Sequence, residues 1–222
     1  MINWFKKKSY PAYWNEYTNF FKTKELSKLD TTRFIIFDTE TTGLNTITDR
    51  ILSIGAIQII ENTIDISKSF EVYLEQTKFN KDTVEIHGIL KGGSILKINE
   101  EEAIIQFLKY IEDAVLVAHH ASFDITMINS CLKRMELPPL KNKVLDTGVL
   151  FKKTSSNTTT DKHYSLDNLC SIYKIAKHDR HTASGDAYIT GIIFLKIISN
   201  LKKSNQKLTF KDLFYIKSRG LL

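Results

Sequence analysis

Cysteine is scarce in this 222-residue chain: Cys131 and Cys170 stand far apart, and neither has a CxxC neighbour. That excludes a disulfide framework and a zinc knuckle, and leaves two buried thiols as the expectation. Proline (3) and glycine (9) are also few, so collagen-like and low-complexity architectures fail on composition. No apolar run approaches the roughly 20 residues that a spanning helix needs. The oily stretches, such as residues 191–198, are short or broken by lysine. No secretory signal is expected either, because Lys6, Lys7 and Lys8 follow a very short apolar patch instead of preceding a long one. What remains is the expectation of a globular, soluble, cytoplasmic protein whose 42% hydrophobic residues suffice for a real core.

Charge is present, and it is uneven. The net charge is +6, yet residues 31–195 carry 18 basic and 21 acidic side chains, so the surplus lies wholly at the two ends. An acidic centre flanked by basic termini suits a polyanionic partner, with Lys6, Lys7, Lys8, Lys202 and Lys203 as candidate backbone contacts. Lysine-rich tails also occur simply as solvated ends.

Hydrophobic periodicity divides the chain into an aromatic and basic helical arm (1–30), a main domain (31–201) and a basic extension (202–222). In the arm, Tyr10, Trp14, Tyr17 and Phe21 fall at helical spacing behind Pro11, which predicts a helix packed on the main body. A buried strand is expected over 33–38, followed by two further strands over 51–60 and 64–74, joined by a tight turn at 61–63 as an antiparallel meander. From Glu100 the period changes to that of a helix, with Ala103, Ile104, Phe107, Leu108 and Ile111 on one face. A short central strand follows at 114–118 and another at 143–146. Between them a helix is expected over 123–135, stopped by Pro138 and Pro139. A Thr/Ser-rich surface loop (154–161) and helices over 165–173 and 183–201 complete an α/β domain with a mixed sheet.

Three sets of acids stand where this pattern turns. Asp38 and Glu40 are two apart at the end of the first strand, so both project to one face. Paired carboxylates there repel unless a cation or a shared proton relieves them, and oxygen-only ligation points to Mg²⁺ or Mn²⁺. Taken alone, D-x-E is just as well a polar turn. Asp124 follows the 114–118 strand, where it equally suits the first turn of a helix through the macrodipole. His181 and Asp186 bracket the start of the last long helix, and an isolated His at a helix start is usually structural.

Their joint occurrence in order carries more weight. FDTETTGL (37–44), DRILSIGAI (49–57), IHGI (86–89), LVAHHASFD (116–124), LDT (145–147), YSLDNL (164–169) and H-x-A-x-x-D (181–186) together resemble the DEDDh family of 3′→5′ exonucleases, closest to the proofreading exonucleases of bacterial DNA polymerase III and their stand-alone relatives. The resemblance implies an RNase H-like fold: a five-stranded mixed sheet, three antiparallel strands and then parallel ones, flanked by helices. It also implies four metal-binding acids, Asp38, Glu40, Asp124 and Asp186, holding two divalent ions, Mg²⁺ or Mn²⁺, with His181 as general base. Imidazole suits that role, since its unperturbed pKa of about 6.5 lets it take a proton near neutral pH.

By the same analogy Thr41, Thr42, Leu44, His87 and Phe123 contact the terminal nucleotide, Leu44 as a wedge against a base. Two departures stand out: His120 replaces a common Asn, and Thr182-Ala183-Ser184 replaces a bulkier segment. Neither removes a ligand or the base. The implied reaction is hydrolysis at single-stranded or frayed 3′ ends, of DNA ahead of RNA, with a DNA polymerase as a possible partner in trans. An exoribonuclease and a non-catalytic polymerase-assembly module remain open alternatives.

Overall fold

The computed structural model describes residues 9–22, 28–78, 84–85, 87–89, 95–154 and 163–214. Lys6, Lys7, Lys8, Ile86 and most of the 154–161 loop lie outside them. Helix α1 (Ala12–Asn19) begins directly after Pro11 and buries Trp14 and Tyr17. The Tyr17 hydroxyl donates to Asn142 Oδ1 at 2.7 Å and accepts from the Lys141 N–H at 2.7 Å. The aromatic stripe is thus an anchor: both rings belong to the same apolar cluster as the sheet behind them.

Strands β1 (Phe34–Thr41), β2 (Ile51–Ile60) and β3 (Thr63–Tyr73) form the antiparallel meander that the alternation predicts. Glu61 and Asn62 both take positive φ, 51° and 59°, as a two-residue hairpin turn matched to strand twist requires. After helix α2 (Glu100–Ile111), capped by Asn99, strand β4 (Val115–Ala118) pairs parallel to β1. Strand β5 (Val144–Asp146) pairs parallel to β4. The order β3-β2-β1-β4-β5 places β1 at the centre, confirming the mixed five-stranded sheet.

Helix α3 (Ser122–Arg134) stops short of the two prolines. Glu136 adopts φ 58° and the Leu137 N–H closes back onto Leu132 O at 2.8 Å, so a left-handed C-terminal turn ends the helix before proline is reached. A short helix not expected from the pattern, α4 (Thr147–Lys152), follows β5 and is capped by Asp146. Helix α5 (Leu166–Tyr173) opens with a capping box of Ser165 and Asn168.

Helix α6 (Ala183–Ser204) runs three residues past the expected end and crosses one face of the sheet. Helix α7 (Phe210–Phe214) buries Phe210 and Leu213 in the same cluster as α6. Two apolar clusters therefore sandwich the sheet. One, with α1, α2 and α3, takes Ile35 and Phe37 from β1; the other, with α4 to α7, takes Phe34 and Ile36. Among the described residues no helix is long and apolar enough to cross a membrane.

Candidate active site at the carboxyl end of β1

Strand β1 continues through Thr41, so Asp38 and Glu40 lie within the strand, not after it. They face Gly55 and Ser53 of β2 in register. Gly55 has a specific task. A Cβ there would stand 2.2 Å from Ser184 N and 2.3 Å from the Ala183 carbonyl carbon, so only glycine lets the first turn of α6 rest on the sheet. That approach delivers Asp186 opposite Asp38. Gly185 serves the same turn, since a Cβ on it would meet Asp179 O at 2.0 Å.

The result is a trio of carboxylates. Ligand oxygens of Asp38, Glu40 and Asp186 all lie within 4.8 Å of one another. Asp124, buried in the first turn of α3, is held beside them by Thr39. Its Oδ1 accepts the Thr39 N–H at 3.0 Å and the Thr39 hydroxyl at 2.7 Å. Burial and like charge act together here. Burial, then Asp124, Asp186 and Glu40, hold the Asp38 carboxyl well above the ordinary carboxylate range. Burial and Asp186 push Glu40 up to about 7. Burial raises Asp124 to about 7 against the lowering effect of the two Thr39 bonds.

Acids so placed are the donor set of a divalent cation that prefers oxygen, and the residues present fit such an ion. The positive group that the structure does bring is Arg180. Its guanidinium Nη1 donates to Asp186 Oδ1 and its Nε to Asp167 Oδ1 at 3.1 Å. Sequence reasoning left this arginine without a role, because only its place beside the acids reveals one. His181 is exposed at φ 63° on the turn into α6, and its backbone N–H donates to Asp186 Oδ2 at 3.3 Å.

The residues expected to meet a nucleotide are dispersed in character. Leu44 is 85% exposed and so is free to touch a ligand. Thr41 and Thr42 are buried, and their hydroxyls are used internally. Thr41 donates to Gly43 O at 2.8 Å, while Thr42 donates to Asp49 Oδ1 and accepts the Arg50 N–H, each at 3.0 Å. Asp49, further held by the Asn45 N–H and Lys78 Nζ, fixes the loop from which Leu44 and the 82% exposed Ile47 project.

His87 is buried, with Nδ1 accepting the Ile89 N–H at 3.0 Å. Burial holds its pKa below the ordinary value. Phe123 is half-buried against the core. His120, where Asn is common, takes φ 59°, a left-handed conformation that both residue types tolerate better than most. Asp146 accepts the Ala121 N–H at 2.7 Å and the Val149 N–H at 3.0 Å, tying the β4–α3 turn to β5.

A mixed sheet that carries two acids on the central strand, a third in the first turn of the long helix packed on it and a fourth on the helix after the parallel neighbour defines an RNase H-like hydrolase. A family model described as Exonuclease matches residues 35–194, and the chain belongs to that family. It is 34% identical over 174 residues to DNA polymerase III subunit epsilon of Buchnera aphidicola subsp. Acyrthosiphon pisum, covering 73% of this chain and 71% of that one. It is also 34% identical over 175 residues to the DNA polymerase III PolC-type of Caldanaerobacter subterraneus subsp. tengcongensis, covering 77% of this chain but spanning only 12% of that polymerase. Among solved structures it superposes on Exonuclease X in complex with 5′ overhanging duplex DNA, with TM-score 0.61, 21% identity and 82% and 98% of the two chains covered. It likewise superposes on E. coli Exonuclease I in complex with a dT13 oligonucleotide, with TM-score 0.64, 18% identity and coverage of 83% and 44%. These superpositions speak to the fold.

Proposed function

We propose that the chain is a metal-dependent 3′→5′ exonuclease that hydrolyses phosphodiester bonds at single-stranded or frayed 3′ ends of DNA and releases nucleoside monophosphates. The observation that carries this reading is the Asp38, Glu40, Asp186 trio, with ligand oxygens within 4.8 Å and Asp124 braced beside it. Four carboxylates in one buried place are costly, and a site kept for structure alone would replace them with apolar side chains. Their cost is offset when two divalent cations, Mg²⁺ or Mn²⁺, are held there, which would supply Lewis acidity to water and to the phosphoryl oxygens.

In this reading Asp38, Glu40 and Asp186 bind and orient, and Asp124 completes the set. The His181 imidazole takes the proton from the attacking water; its exposed place on the turn into α6, five residues before Asp186, gives it access to solvent. Leu44 presses on the terminal base, with Thr41 and Thr42 shaping the loop behind it and His87 and Phe123 flanking. The likeness to polymerase III epsilon subunits favours DNA over RNA, cytoplasmic replication or repair over RNA processing, and a polymerase partner in trans. Lys202 pairs with Asp30 at 2.5 Å and lies 16 residues beyond Asp186 in α6, about 24 Å along the axis. Any backbone contact from it therefore falls several nucleotides from the scissile bond.

The test is degradation of end-labelled single-stranded DNA, of duplex DNA with a mispaired 3′ end, and of RNA, each with Mg²⁺, Mn²⁺ or EDTA. Mononucleotide release from the 3′ end of DNA that EDTA abolishes is expected. Activity that survives chelation, or products released first from the 5′ end, would overturn the mechanism, and faster turnover of RNA would move the substrate to RNA.

A further inference from the structure

Both oxygens of Asp186 are occupied by donors from the turn before α6, Oδ1 by the Arg180 guanidinium and Oδ2 by the His181 N–H. Arg180 is placed there by an unusual backbone, since Asp179 and His181 on either side of it both take left-handed φ values of 53° and 63°. Its side chain is largely shielded, 17% exposed, and its charge lowers the pKa of both Asp38 and Glu40. The same guanidinium also reaches Asp167, a half-exposed carboxylate outside the acid cluster that Lys177 meets as well, at 3.2 Å.

From this geometry we propose that Arg180 is a built-in counter-cation, a positioning residue that partly neutralises the cluster in the metal-free protein and withdraws toward Asp167 when divalent metal enters. The proposal rests on the metal-site reading above. Charge explains the exchange. With all four carboxylates ionised, one guanidinium leaves three negative charges, whereas two dications alone balance the four acids and make the guanidinium's charge surplus. A carboxylate has about four lone-pair directions, so Asp186 has room for a metal, but a dication and a guanidinium on one carboxylate repel. Asp167 then offers the fork a second acceptor already in contact, so the withdrawal needs no large motion.

The experiment is a Mn²⁺ titration of the full chain without substrate, followed by electron paramagnetic resonance of free Mn²⁺, together with melting of the metal-free and Mn²⁺-saturated forms. Arg180→Gln is expected to bind Mn²⁺ about tenfold tighter than wild type, as the removal of one close repelling charge should allow. It should melt lower than wild type without metal and level with it when saturated. Asp167→Asn, at a half-exposed position, is expected to shift affinity the other way, weakening it about threefold, because the guanidinium loses the acceptor it retreats to. A brace that merely holds Asp186 in place predicts weaker Mn²⁺ binding for Arg180→Gln, and unchanged or weaker binding by that variant overturns the proposal while leaving the metal site standing. Should Arg180→Gln not fold, Asp167→Asn decides alone, and unchanged or tighter binding by it overturns the proposal. If wild type itself takes up no Mn²⁺, the metal-site reading falls and this inference falls with it.

Discussion

The two halves of β1 differ more from each other than from any neighbouring strand. In the first half, Ile35, Ile36 and Phe37 have no solvent exposure and alternate between the two apolar clusters of the sandwich. Fully burying one such side chain contributes about 1.5–3 kcal/mol. In the second half the same backbone presents Asp38 and Glu40 to two further acids, and burial and like charge raise their pKa values. One half is locally favourable and the other locally unfavourable, though both sit on one ladder with β2 whose register shifts only after Glu40. The lesson is that the acids hold their geometry because the apolar half fixes the strand, while Gly55 and Thr39 fix what faces it.

The comparison is broken most directly at Asp38. Asp38→Asn should lower turnover by at least about 10³-fold, since several kcal/mol of transition-state stabilisation depends on the site it builds. The same change should leave the metal-free protein at least as stable as wild type near pH 8, because it removes one of several repelling charges. Chemical denaturation of the metal-free form checks this. A clear loss of stability would show that the acidic half of the strand is not under electrostatic strain.

His181→Ala sharpens the same contrast, because it touches chemistry while leaving the acids in place. Turnover is expected to fall 10²–10⁴-fold, with Mn²⁺ affinity within a factor of about three of wild type. Equal cleavage rates near neutral pH would remove His181 from the role of base. In the apolar half the pattern should invert: Ile36→Ala should cost about 2–5 kcal/mol of stability as a core truncation, yet leave turnover per folded molecule close to wild type. A loss of activity well beyond the unfolded fraction would mean that the core half does more than hold the strand.

How far the sequence foretold this depends on what each feature needs. The sheet was legible because strand alternation, the Glu61-Asn62 turn and the switch to helical period at Glu100 are local signals, and they predict the observed pairing directly. Asp38, Glu40 and Asp186 were legible through motif order, and the structure brings them within 4.8 Å. Arg180 was not, since nothing in its neighbours along the chain distinguishes it from a surface arginine until Asp167 and Asp186 close around it. Helix α4 escaped notice because six residues carry little periodicity, and its cap, Asp146, reads from sequence only as the end of a strand. The end of α3 fell within one residue of the expected 135, but its cause was not legible, since the left-handed Glu136 that stops it is not a typical residue for that conformation.

The smallest expected effect concerns pH. Glu40, at about 7 in the folded chain, has an unfolded value of about 4.3. Between those values the native state binds more protons at this site than the unfolded chain does, so the contribution of Glu40 to stability falls as pH rises from about 4 to about 7. Above that window its penalty is fully present. A raw melting curve against pH would not isolate it, because His119, which burial holds down at about 4, works with the opposite sign: kept neutral in the native state, it favours folding increasingly as pH climbs toward the ordinary histidine value of about 6.5. The informative quantity is the difference between Glu40→Gln and wild type, both metal-free. That difference should be near zero at pH 4.5 and grow in favour of the variant through pH 7.5, reaching several degrees of melting temperature, since each kcal/mol registers as about 2–4 °C in a domain of this size. Saturating Mn²⁺ should reverse it, since the variant loses a ligand. A difference that stays flat across the window in the metal-free protein would mean that Glu40 reaches solvent well enough to ionise freely, and that the electrostatic strain of β1 is confined to Asp38.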